Sequence, residues 1–188
     1  MIKIGITGSL ASGKTTASKI LSHKRGPLFS ADSIVNKLYQ KKYFKNLVCK
    51  KFKIKNYHQI KKSIKKLIIK DKKNIKKIEN IIHPLVRKEM KIFTSRNKNK
   101  KLSFYEIPLL IESKLMKYFN ILIFIKAKKH TRLKRFQSKN GDKKLFNLLN
   151  NKQMTDTKKI KFCDYVVVNE KDIRILKKNL FAIIKRYE

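Results

Sequence analysis

The sequence predicts an α/β fold, a mainly parallel five-stranded sheet with helices over both faces. Three observations carry this. Short β-branched or apolar runs recur at Ile2–Ile6, Leu28–Phe29, Leu102–Ile107, Ile121–Lys126 and Asp164–Val168. Stretches with apolar residues at helical spacing separate them, and strands alternating with helices form a parallel sheet through crossover connections. The first run also leads through Thr7–Gly8 into a glycine- and serine-rich turn that opens a helix. At 188 residues without an internal repeat, the chain suits one domain large enough to bury a substantial core.

Each element follows in order. After the first strand, Ala17, Ile20 and Leu21 mark a helix from Gly13 that Gly26–Pro27 stops. Leu28–Phe29 is a brief second strand, and a helix near Asp32 carries Ile34, Val35 and Leu38 along one face. Residues 41–77 are lysine-rich with apolar residues at helical intervals, which reads as a solvated helical region. His83–Pro84 is a helix-start signal, since proline suits a first turn, and Val86, Met90 and Phe93 continue the helix. It fades in the polar run Ser95–Lys101, a loop. Later helices are expected at Thr131–Ser138, Lys143–Asn150, Asp156–Phe162 and Lys171–Arg186.

Fifty Lys+Arg against twelve Asp+Glu give a formal net charge of +38. Basic clusters gain affinity for nucleic acid by counterion release. Here lysine is spread along nearly the whole chain with abundant Ile and Asn, the mark of a biased composition rather than a selected patch. No dedicated nucleic-acid partner is expected, and an anionic small substrate would be steered by the same field. No apolar stretch approaches the roughly 20 residues that span a bilayer, and no cationic leader precedes the first strand. Cys49 and Cys163 lack metal-ligand spacing and suit a reducing compartment. A cytoplasmic protein, in membrane contact nowhere and monomeric, is the expectation.

Gly8–Ser9–Leu10–Ala11–Ser12–Gly13–Lys14–Thr15 matches G-x-x-x-x-G-K-[ST] at every fixed position. Gly8 and Gly13 let the loop wrap so that backbone N–H groups, those of Ala11 and Ser12 among them, face phosphates. The helix behind adds the positive end of its dipole. Lys14 reaches the terminal phosphates of ATP, the Thr15 hydroxyl suits magnesium, and Thr16 falls near the α-phosphate. The strand before and helix after are the context this motif requires. The phosphoryl acceptor is left open by the loop alone.

Four further segments narrow it: Phe29–Ser30–Ala31–Asp32–Ser33–Ile34, His83–Pro84–Leu85–Val86–Arg87, Ile107–Pro108–Leu109–Leu110–Ile111–Glu112, and Gln153–Met154 followed by Phe162–Asn169. In this order and spacing, with the phosphate loop, they resemble the dephospho-CoA kinase family across nearly the whole chain. The resemblance implies a three-layer P-loop kinase fold and transfer of the γ-phosphoryl of ATP to the ribose 3′-hydroxyl of dephospho-CoA. It implies a core of about 1–32, 99–130 and 161–188, a helical acceptor-binding region of about 33–98, and a lid of about 131–160.

Asp32 follows a short strand at the edge where open α/β sheets place ligands, so it either receives the proton of the attacking hydroxyl or caps the following helix. The resemblance favours catalysis, and Ser30 stands where the family has a first aspartate. Glu106 and Glu112 are alternatives for a water-mediated magnesium contact, Glu112 equally an ion-pair partner. Arg132 and Arg135, one turn apart, suit the charge that spreads over the transferring phosphoryl group. Leu149 stands where the family has another arginine. The resemblance places His83, Arg87, Pro108 and Leu109 on the acceptor's side, His83 as a positional residue. Asp164 and Asn169 lie either by the adenine or in packing and turn roles. His23, His58 and His130 receive no role, and no acceptor contact is assigned in Asn56–Ile64.

Overall fold

The computed structural model describes residues 1–54, 57, 59–71 and 73–188. His58 and the Asn56 end of Asn56–Ile64 lie outside the described residues. The described chain divides into two compact units, Met1–Ser30 with Arg96–Glu188, and Ala31–Ser95.

The first unit holds the sheet. Its strands are β1 (Ile2–Gly8), β2 (Leu28–Ser30), β3 (Leu102–Glu106), β4 (Ile121–Lys126) and β5 (Tyr165–Val168). They lie in the order β2-β3-β1-β4-β5, every pairing parallel, so the sheet is wholly rather than mainly parallel. The period-2 alternation of strands divides their side chains between two buried faces. Ile4 and Ile6 of β1, Leu102 and Phe104 of β3, and Ile121, Ile123 and Ile125 of β4 share one cluster with Ala17 and Leu21 of α1 (Lys14–Ser22). Leu176, Leu180 and Ile184 of the terminal helix Ile173–Ile184 complete it. On the opposite face Gly5 is kept small by contact. A Cβ there would meet Leu122 at 2.7 Å and Leu110 at 2.9 Å.

The helices between β4 and β5 are Lys129–Gln137, Lys143–Lys152 and Asp156–Ile160. The first two are joined by a Phe136–Phe146 ring contact at 5.6 Å. Asp142 caps the second, accepting from the N–H groups of Lys144 at 2.6 Å and Leu145 at 3.2 Å. In chain order these three helices are α6, α7 and α8, and Ile173–Ile184 is α9.

The second unit is helical: α2 (Ala31–Leu38), α3 (Lys42–Phe52), α4 (Ile60–Lys70) and most of α5 (Lys73–Arg96). It corrects two expectations. Residues 41–77 are not merely solvated, because Leu38, Phe44, Val48, Ile60, Ile64 and Ile78 form a buried cluster of their own. The apolar residues recur every three to four positions, which gathers them on inward stripes while the lysines stay in water. His83–Pro84 is not a helix start either. Pro84 sits inside α5, which begins at Lys73, beside an Asp71 carboxylate that accepts from the Lys73 N–H at 2.9 Å. Ile81, Ile82, Leu85 and Val86 pack on the cluster around Pro84. That burial outweighs the lost helical hydrogen bond, whose cost is about 3 kcal/mol.

Candidate active site

The phosphate loop runs from the carboxyl end of β1 into α1, where an open parallel sheet offers its crevice. Gly8 and Gly13 are required for different reasons. At Gly8, with φ of 152°, a Cβ would lie 2.4 Å from the Ile125 carbonyl oxygen. At Gly13, with φ of 95°, it would lie 2.1 Å from Nδ2 of Asn169. Ala11 takes a positive φ of 59° without being glycine, a conformation that costs an L-residue about 1 kcal/mol or more. Strain of this kind persists where surrounding bonds over-determine the backbone.

Those bonds are present. The Lys14 ammonium donates to the Ser9 carbonyl at 2.8 Å, and the Ser12 N–H donates to the same oxygen at 3.2 Å. Asn169, just past β5, donates from Nδ2 to the Ser12 carbonyl at 2.8 Å. Arg135 reaches the Ser12 carbonyl at 3.4 Å and the Asn169 carbonyl at 3.0 Å. Arg132, only 6% exposed, donates to the carbonyls of Ala127 at 3.1 Å and Leu10 at 3.3 Å and to Oδ1 of Asn150 at 2.8 Å. Burial lowers the Arg132 pKa, and the Asp156 carboxylate opposes that shift. Gln153 accepts from the Leu10 N–H at 3.2 Å, and Asp156 accepts from the Ser9 hydroxyl.

Glu106 ends β3 beside β1, paired with Ile6 on one side and with Ser30 of β2 on the other. It is 1% exposed. Oε1 accepts from the Thr15 hydroxyl, and Oε2 is buried with no partner among the described residues. The Ser12 hydroxyl is likewise buried without a partner. Two orphaned polar atoms in one loop region are costly unless a ligand completes them. Among the described residues no three His, Cys, Asp or Glu gather into a metal cluster. That donor set fits a cation held through one hydroxyl, one carboxylate, water and substrate phosphates, as magnesium is in such sites.

The remaining predicted residues separate. Thr15 and Thr16 are exposed at the start of α1. Pro108 and Leu109 follow β3, half-buried, and the Pro108 carbonyl accepts from the Thr7 hydroxyl at 3.2 Å. Asp32 lies exposed in the first turn of α2 and not at its cap, two residues beyond the Ser30 position that pairs with Glu106. His83 and Arg87 stand one turn apart on α5, Arg87 exposed. Glu112 takes the ion-pair role, 2.8 Å from the fully buried Lys159 ammonium. Asp164 accepts from the Leu122 N–H at 2.7 Å just before β5, at the amino ends of the strands and so away from the phosphate loop. Asn169 is at the opposite, carboxyl end. Glu170 beside it accepts from the Lys128 N–H and the Thr131 hydroxyl at the start of α6, and the first of these bonds holds its carboxyl below the usual range.

Gln153 and Asp156 are loop-holding residues that the sequence left without a role, and Asn169, for which it offered either the adenine or packing and turn roles, joins them. Their partners stand 143 to 157 positions away along the chain. Only the motif membership of Gln153 and Asn169 hinted at a role.

Comparison with known proteins bears on the family and the fold. Residues 2–174 match the dephospho-CoA kinase family. A dephospho-CoA kinase of Bartonella quintana is 33% identical over 187 residues, 97% of this chain and 96% of its own. One of Rickettsia typhi is 33% identical over 189 residues, 100% of this chain and 98% of its own. Among solved structures, a Thermus thermophilus protein matches with a TM-score of 0.82 at 24% identity, covering 100% of this chain and 98% of that one. A dephospho-CoA kinase from Campylobacter jejuni matches with a TM-score of 0.67 at 22% identity, covering 98% and 96%. A shikimate kinase from Acinetobacter baumannii follows at 0.55 and 15%, covering 99% and 94%, which marks the fold as one shared by small-molecule kinases. The chain belongs to the dephospho-CoA kinase family.

Proposed function

We propose that the chain converts dephospho-CoA and ATP to CoA and ADP, the last step of coenzyme A synthesis, with Asp32 as base and the phosphate loop as donor site. Family membership over residues 2–174 carries the reaction, and the held loop with its two orphaned polar atoms supports the donor side.

In this reading the backbone N–H groups of Gly8 to Thr16, those of Ala11, Ser12 and Gly13 among them, bind the phosphates of ATP, and Lys14 neutralises the terminal ones. Magnesium would be held by Thr15, with Glu106 reaching it through water, and supplies further neutralisation of the phosphate charge when bound. Asp32 follows the strand end paired with Glu106, and its carboxylate takes the proton of the ribose 3′-hydroxyl as that oxygen attacks the γ-phosphorus. The phosphorus–oxygen bond to ADP breaks as the new bond forms. Arg135 and Arg132 on α6 offset charge on the transferring group. Pro108 and Leu109 line the acceptor side in unit one, and His83 and Arg87 belong to the helical acceptor region, Arg87 for the acceptor's phosphates. Helices α6 to α8 form the lid. Both cysteines are free thiols, which supports a cytoplasmic setting, and among the described residues no helix is long and apolar enough to cross a membrane.

The test supplies the purified protein with ATP, magnesium and either dephospho-CoA, a panel of nucleosides and nucleoside monophosphates, or DNA. CoA should form. Turnover of another acceptor, or stimulation by DNA, without CoA would overturn the reading. Lys14→Ala and Asp32→Asn should each lower kcat by roughly a hundredfold or more with the fold intact by circular dichroism. Near-normal turnover in Asp32→Asn would remove it as the base.

A further inference from the structure

Ser9 occupies a variable position of the phosphate loop, yet three bonds converge on it. Its carbonyl accepts both the Lys14 ammonium at 2.8 Å and the Ser12 N–H at 3.2 Å, and its hydroxyl donates to Oδ1 of Asp156. Ser9 is 3% exposed, so this cluster is sheltered from water. Its neighbour Leu10 is held on both sides, its N–H by Gln153 and its carbonyl by Arg132. The Arg132 guanidinium in turn feels the Asp156 carboxylate.

We propose that Asp156 is a positioning residue for the donor site: through the Ser9 hydroxyl it fixes the carbonyl that aims the Lys14 ammonium. A loop carbonyl free to rotate would let the lysine swing, and phosphate binding would then carry the entropy of ordering both. A carboxylate acceptor on a sheltered hydroxyl is a charge-assisted bond, stronger than a neutral one and so able to hold that carbonyl. Gln153 completes the clamp from the same segment by taking up the one N–H of Leu10. The clamp also accounts for the tolerated positive φ at Ala11, since residues on both sides of it are tied down.

The inference rests on the loop binding ATP, so the test reads nucleotide binding without any acceptor. Magnesium-ATP is titrated calorimetrically into the wild type, Ser9→Ala, Asp156→Ala, the double variant and Asp156→Asn, and kcat and both KM values are measured on the same preparations. Ser9→Ala and Asp156→Ala should each weaken magnesium-ATP about tenfold, with the KM for dephospho-CoA unchanged. The double variant should be no weaker than either single one, because both remove the same bond. Asp156→Asn keeps an acceptor for the hydroxyl but loses the charge that strengthens the bond, and should recover part of the affinity. Additive losses, an Asp156→Asn as weak as Asp156→Ala, or a lowered melting temperature with intact nucleotide affinity would each overturn the proposal. A wild type that binds magnesium-ATP but phosphorylates another acceptor would sink the dephospho-CoA reading while leaving this one standing.

Discussion

Glu106 and Glu112 show how one residue type takes two unlike tasks six positions apart. Glu106 keeps one buried oxygen without a partner beside the Thr15 hydroxyl. An amide there would still accept from Thr15 but lose the charge that, on the proposed reading, serves the water shell of magnesium. Glu106→Gln should therefore lower kcat about tenfold to a hundredfold and raise the magnesium concentration for half-maximal rate, read from magnesium titrations of the rate. Glu112 instead neutralises Lys159, whose ammonium is fully buried, and also accepts from the Met154 N–H at 3.2 Å. Glu112→Ala strands that cation and should destabilise the fold by about 3–5 kcal/mol by urea denaturation. At Cys163, burial first, then the nearby Asp164, pushes the thiol up to about 11 against the opposing pull of Lys159, which disfavours the reactive thiolate. Of these residues, the sequence offered both glutamates as candidates and could not choose, since the deciding partner of Glu112 is 47 positions away.

At the scale of elements, most strands and helices were legible because local periodicity and turn chemistry agree. The strand runs Ile121–Lys126 and Leu102–Glu106 lie within a residue of expectation, and α7 starts where Asp142 can cap it. The failure at α5 is instructive. His83–Pro84 has the form of a helix start, yet the apolar period from Ile75 through Ile78, Ile81, Ile82 and Leu85 runs straight through it. A proline signal is local, worth one hydrogen bond and a steric clash, while the packed stripe sums over several turns. Pro84 is exposed, so Pro84→Ala restores the helical N–H without opening a cavity. It should raise the melting temperature, with a gain of about 1–3 kcal/mol. An unchanged or lower melting temperature would mean that the ring contributes packing at that turn.

For the whole molecule, the +38 charge comes from lysines spread along nearly the whole sequence. Like charges at that density oppose compaction, and counterions relieve them within a Debye length of about 8–10 Å near physiological ionic strength. Thermal stability should therefore rise as sodium chloride goes from about 0.01 to 0.5 M, followed by differential scanning calorimetry. A fall would mean that the few ion pairs, such as Lys41–Glu89 at 3.9 Å, outweigh the general repulsion.

The sequence by itself determined the α/β class, the phosphate loop with its strand and helix, and the family, because each is written in spacing along a short stretch or in ordered motifs. Tertiary structure alone decided which side chains hold that loop. Ser9 meets Asp156, Leu10 meets Gln153 and Ser12 meets Asn169 only because parallel strands β1, β4 and β5 bring their carboxyl ends to one edge. Hydrogen bonds between residues some 150 positions apart leave no periodic trace in a single chain. The same holds for the second apolar core: Phe44, Val48 and Ile64 read as solvated-helix residues until the helices close on one another.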